Sequence, residues 1–149
     1  MTTLAANVLR DYQLGDQEDY PVVATDIIYQ GAAVGENGSG YARPLEAGDP
    51  FLGFALGPVD NSTGSAGDLR VTVRRRGSIV LAVAGATTVA ANDRPIVYAS
   101  DDDTFTLTAS TNTPIGRVQR WIASGEAVVE FDAYTAAIEA LVATKAAAQ

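Results

Sequence analysis

The chain contains no cysteine and no histidine, and a single lysine, Lys145, near its C-terminal end. The absence of Cys excludes disulfides, zinc thiolates, thiol nucleophiles and redox switching. The absence of His removes the commonest general base and the commonest transition-metal ligand, which leaves carboxylate, Ser/Thr, Tyr or lysine chemistry. No apolar run approaches the ~20 residues needed to span a bilayer, and the N-terminal stretch lacks a basic segment followed by an apolar core. The expectation is a soluble product of the cytosol in which it is made.

At 149 residues the chain fits one domain. A domain of this size buries roughly 68–70% of its unfolded surface, enough for a core without metal or disulfide. Eighteen acids against ten bases give a net charge of −8, which disfavours nucleic acid and anionic membrane as partners. Nine of the ten bases are arginine, and Arg70, Arg74, Arg75 and Arg76 fall within seven residues. Arginine pairs bidentately with carboxylates and is enriched at protein interfaces, so the cluster suits an acidic protein surface.

Short β-rich segments separated by turn residues fill the middle of the chain, at 20–24, 26–29, 32–35, 41–45, 51–56, 69–75, 78–84, 95–99, 104–108, 115–122 and 127–132. That spacing predicts a mainly β fold, a small antiparallel barrel or sandwich. In 69–75, Leu69, Val71 and Val73 alternate with Arg70, Thr72 and Arg74, the pattern of a half-buried strand that presents cations on its other face. Arg75 falls on the apolar side, with its stem at the rim. Segment 78–84 is apolar on both faces and reads as buried on both sides.

Residues 1–19 are polar and acidic and read as an extended arm that gains order on a partner. Residues 20–133 form the β body. Residues 134–149 are alanine-rich, with Tyr134, Ile138, Leu141 and Val142 at helical spacing and Asp132 placed to cap, which predicts a short helix docking on the body or on a neighbour.

Chemistry finds little purchase. Asp101, Asp102 and Asp103 lack the spacing of a calcium loop and read as a hairpin turn. The run from Gly35 to Gly40 lacks the Gly-Lys-Ser/Thr ending of a phosphate loop and reads as another turn. Trp121, beside Arg117 and Arg120, reads as a partly buried core residue in preference to an interface anchor. Glu126 and Glu130 stand about 13 Å apart on one strand at ~3.3 Å per residue, beyond the ~6.5–9.5 Å of an inverting glycosidase pair, so a carboxylate-dependent hydrolase is a weak alternative. No catalytic, cofactor-binding or metal residue is expected.

Several short pieces occur in a telling order: Tyr29-Gln30-Gly31-Ala32, Ser39-Gly40-Tyr41, Phe51-Leu52-Gly53-Phe54-Ala55, Val59-Asp60-Asn61-Ser62 with Gly67-Asp68, Arg74-Arg75-Arg76-Gly77, Pro95-Ile96-Val97-Tyr98 with Asp101-Asp102, and Ile115-Gly116-Arg117-Val118. Over roughly 20–133 this series resembles the tailed-bacteriophage capsid cement, or head decoration, proteins. The resemblance implies a small β-barrel domain that binds the outside of an assembled head, commonly as a homotrimer, bridges subunits of the major capsid protein and reinforces the shell. It implies a virion protein on the outer capsid surface, with no enzymatic activity, no cofactor and no nucleic-acid or membrane partner. Another virion role, such as a head fibre base or tail component, shares the composition. Leu9, Arg10, Tyr12 and Leu14 on the arm and Arg70, Arg74, Arg75 and Arg76 on the body are the candidate capsid contacts.

Overall fold

The structure, a computed structural model, describes residues 4–11, 13–88 and 93–147. Twelve strands and one helix are formed among them: β1 (Gln17–Pro21), β2 (Ile27–Ile28), β3 (Ala33–Glu36), β4 (Ala42–Pro44), β5 (Phe51–Ala55), β6 (Val59–Asp60), β7 (Arg70–Arg74), β8 (Arg76–Ala84), β9 (Ile96–Ala99), β10 (Phe105–Thr106), β11 (Thr113–Ala123), β12 (Glu126–Asp132) and α1 (Ala133–Ala147). The fold is mainly β, as the spacing of apolar segments implied. A five-stranded sheet of order β1-β7-β5-β3-β4 stands beside a closed barrel of order β10-β8-β12-β11-β9, with β2 and β6 as a separate ribbon. Among the described residues the strands named pair antiparallel except β10 with β8, and outside them Val22 bridges Ala42 in parallel.

Sheet and barrel share one core. All four phenylalanines of the chain meet there: Phe51 and Phe54 from β5, Phe105 from β10 and Phe131 from β12. Phe54 packs edge-to-face on Phe131 at 4.9 Å and on Phe51 at 5.4 Å, and lies 6.0 Å from Phe105. Phe51 and Phe54 are three residues apart, which in a regular strand would put them on opposite faces. A bulge corrects the parity: β5 advances two residues, Phe51 to Gly53, while β3 advances one, Gly35 to Val34. Gly53 sits at φ 139°, and a Cβ there would lie 2.3 Å from the Arg74 carbonyl oxygen. A second cluster, including Val22, Ile28, Val34, Val71 and Val73, fills the other face of the sheet.

Polar joints complete the packing. Buried Asp49 receives Arg43 bidentately, Nε to Oδ2 at 2.9 Å and Nη2 to Oδ1 at 2.8 Å, and its backbone carbonyl accepts from Thr113 Oγ1 at 2.8 Å, which ties the sheet to the start of β11. Asn61, fully buried, donates Nδ2 to the carbonyls of Val23 and Ser65 and so holds the loop after β6 against the body.

Four sequence expectations need correction. Residues 17–19 belong to β1, paired with β7 through Gln17↔Arg74, Glu18↔Val73 and Asp19↔Thr72, so the arm ends before Gln17 and not at residue 19. Strand β8 is not buried on both sides: Val83 is buried, but Val80, Ala82 and Ala84 lie exposed on the outer face of the barrel. Trp121 is not a core residue but sits exposed near the turn that closes the β11–β12 hairpin, paired with Ala127. Leu69 precedes its strand and is exposed.

Candidate interaction surface

The arginine block lies where the arm and α1 join the body. β7 alternates as expected, with Val71 and Val73 fully buried and Arg70, Thr72 and Arg74 outward. The outward groups grip the incoming chain: Arg70 Nη2 donates to the Asp19 carbonyl at 2.9 Å, and Thr72 Oγ1 donates to Asp19 Oδ1 at 2.6 Å. Arg76 Nη2 donates to the Leu14 carbonyl at 3.1 Å. Between them Arg75 is half-buried, its Nε without a hydrogen-bond partner, while its backbone N–H donates to Asp16 O and its carbonyl accepts from Ala133 N–H, each at 2.8 Å. The arm and α1 are thus rooted on the two sides of one residue. Among the described residues the ion pairs are Arg43 with Glu46 and Asp49, and Arg117 with Glu139. Arg70 and Arg76 therefore hold carbonyls in place of acids, and Arg74 projects outward with no side-chain hydrogen bond among the described residues.

The arm carries exposed apolar side chains well beyond those the sequence singled out. Leu9 is 100% exposed and Leu14 86%, and Leu4 at 70% and Val8 at 49% join them. Arg10 is exposed beside them. Tyr12 lies outside the described residues. Leu4 and Val8 were missed because the polar composition of the segment masked its sparse apolar residues.

Helix α1 starts as anticipated, Asp132 Oδ1 accepting from the backbone N–H groups of Tyr134 at 2.9 Å and Thr135 at 3.3 Å. It docks on the body, one of the two placements expected, but by its small residues. Ala133 and Ala136 are the buried positions, and Glu139 reaches back to Arg117 at 3.0 Å. Tyr134, Ile138 and Leu141, at 44–68% exposure, face away from the body, and Val142, also exposed, lines the groove beside loop 109–114. Small alanines let the helix backbone lie close to the barrel and turn the bulky ridge outward. Alanine at the opposite helical positions was the available signal.

The candidate chemical groups are scattered. Glu126 and Glu130 are exposed near opposite ends of β12. The acidic triplet forms the β9–β10 hairpin, in which Asp101 Oδ1 accepts from Asp103 N–H at 2.9 Å and Asp101 Oδ2 from Thr104 Oγ1 at 3.0 Å. The run from Gly35 to Gly40 is likewise the β3–β4 turn, closed by Asn37 Oδ1 accepting from Ser39 and Tyr41 N–H. A groove of about 670 Å³ runs between α1 and the loop 109–114. Several of its polar groups are engaged: Glu139 by Arg117, Thr113 by Asp49 and Gly48, and Asn112 by the Thr108 carbonyl. Among the described residues no group of three or more acids is placed to hold a metal, and no helix is long and apolar enough to cross a membrane.

Asp102 gives the hairpin a pH dependence. Burial, reinforced by the charge of Asp101, raises its carboxyl above the usual range. An acid whose folded value exceeds its unfolded one costs stability when ionised. That penalty is absent below the unfolded value of ~3.9 and is acquired as pH rises through the folded value. Asp102→Asn is therefore expected to raise the melting temperature at neutral pH and to leave it unchanged below that window. Equal gains at both pH values in thermal melts would show that the effect is not ionisation.

Comparison with known proteins returns no matching family model and no significant sequence match among curated proteins.

Proposed function

We propose that this chain is a structural virion protein that decorates an assembled phage head, binding its outer surface and bridging subunits of the major capsid protein. The observation that carries the reading is the common root of two apolar segments, arm and helix, that leave a rigid β body at Arg75 and do not pack their bulky side chains on it. A body that buries its own core yet holds such segments outward is built to attach. Repetition over a shell multiplies modest contacts through effective concentration. The ordered motif series of 20–133 supports the same reading, and the scattered carboxylates favour it over hydrolysis.

The test adds purified protein to preformed, expanded heads that lack it and counts bound copies, beside a variant lacking residues 1–13. This cut spares Leu14, Asp16 and β1, which a cut at 19 would destroy. The full chain is expected to bind and raise the resistance of the heads to heat. The truncated chain is expected to melt unchanged but to bind at least about tenfold more weakly, since fully burying even one leucine is worth ~1.5–3 kcal/mol. Arg74→Glu is expected to lower occupancy without affecting the fold, because no intrachain hydrogen bond is lost. Heads that take up no protein, or gain no resistance from it, would overturn the reading.

A further inference from the structure

We infer that Asn37 is a self-modifying site: in the folded chain it turns into aspartate without an enzyme, and the β3–β4 turn directs the product to aspartate over isoaspartate. Asn37 is the only one of the five asparagines that precedes a glycine. The backbone nitrogen of a following glycine, unshielded by a Cβ, is the nucleophile that reaches a neighbouring side-chain amide. Gly38 is exposed at φ 89°, with open space where a Cβ would stand. Its N–H makes no hydrogen bond among the described residues.

The turn prepares the amide for attack. Asn37 Oδ1 accepts from Ser39 N–H at 2.8 Å and from Tyr41 N–H at 3.1 Å, while Nδ2 makes no hydrogen bond among the described residues. Two donors on that oxygen stabilise the negative charge that gathers there when Cγ is attacked, and the nitrogen is free to leave. The loop around them is closed by Asn37 N–H donating to the Tyr41 carbonyl at 3.0 Å and by Gly40 N–H donating to Glu36 Oε1. Elsewhere the amide nitrogen is tied: Asn61 Nδ2 donates to the Val23 and Ser65 carbonyls, and Asn112 Nδ2 to that of Thr108. Asn7 is exposed but precedes β-branched Val8, which crowds the approach.

The steps balance with water as the only co-reactant. Gly38 N gives its proton to solvent and bonds to Asn37 Cγ; the Cγ–Nδ2 bond breaks, and Nδ2 takes up a proton and leaves as ammonia. The resulting succinimide has two carbonyls that water can open. Oδ1 carries two donors, whereas the main-chain carbonyl of Asn37 accepts no hydrogen bond among the described residues. Water therefore adds at Cγ, the new Cγ–N bond breaks, a proton returns to Gly38 N, and a carboxylate is left on a side chain of normal connectivity. The exposed turn of a chain of net charge −8 gains a further negative charge, with no head or partner required.

Folded protein kept in warm, mildly alkaline buffer is followed by peptide mapping and mass spectrometry. Asn37 is expected to convert at least about tenfold faster than Asn7, Asn61 or Asn112, a modest part of what one oxyanion donor contributes in an enzyme. Aspartate is expected to outweigh isoaspartate in the folded chain, and isoaspartate to predominate in urea, where both donors on Oδ1 are lost. Asn37→Asp is expected to melt no lower than wild type, because the carboxylate keeps both bonds and makes them charge-assisted. The proposal is overturned by a folded chain whose Asn37 stays intact while the chain in urea converts, by isoaspartate as the main folded product, by a product ratio that urea leaves unchanged, or by an Asn37→Asp chain that melts well below wild type.

Discussion

Replacing Phe54 by alanine is expected to cost about 3–5 kcal/mol, the usual range for deleting a buried aromatic ring. For a chain of this size that is a fall of roughly 10–20 °C in melting temperature. The reason for expecting the upper part of the range is geometric. Phe54 touches three other rings, one on its own strand and two on the barrel, and edge-to-face pairs add about 0.5–1.5 kcal/mol beyond area alone. Its removal leaves a void between two sheets, where neither can collapse without breaking strand ladders. Chemical denaturation of Phe54→Ala beside Phe51→Ala checks the claim, since Phe51 is more peripheral and its loss should cost less. Equal, small losses below about 1.5 kcal/mol would show that sheet and barrel do not depend on this cluster.

Gly53→Ala is expected to rival that loss although it adds a single methyl group. The position needs φ 139°, a conformation side chains rarely adopt, and the new Cβ would meet the Arg74 carbonyl oxygen at 2.3 Å. Strained backbone costs of order 1–3 kcal/mol and overpacking a further 1–3, so a total of about 2–6 kcal/mol follows. Gly77→Ala separates the two effects: its φ is 148°, but the added Cβ would find only ordinary contact at 3.7 Å. It should show the strain alone. If the two variants melt together, the close approach to Arg74 is not what fixes glycine at position 53.

Most of the β architecture was legible in the sequence because alternation and turn residues act locally. Each of the eleven segments read from the chain has a strand as its counterpart, and β6, two residues after Gly57-Pro58, was too short to register. The first half of β1 escaped because Gln17, Glu18 and Asp19 lie on an exposed edge and carry no buried face. What the arginines hold was illegible for a different reason. A guanidinium that serves a backbone carbonyl needs no acid at any spacing, so Arg70 and Arg76 left no partner in the sequence. The orientation of α1 was left open between body and neighbour because the bulky ridge suits either, and Ala133 and Ala136 face the barrel because being small lets the helix approach closely. The candidate surface was therefore half visible: its residues were readable, its direction was not.

The ladder between β1 and β7 has a mechanical consequence. Five residues, Gln17 to Pro21, pair along its length, and the arm leaves from the Gln17 end. A tug on the arm along the strand axis loads the pairs side by side, as in a lap joint, instead of peeling them in turn. Tensile anchorage of the N-terminus is then set by the whole overlap, and the grip of Arg76 on Leu14 is only its leading edge.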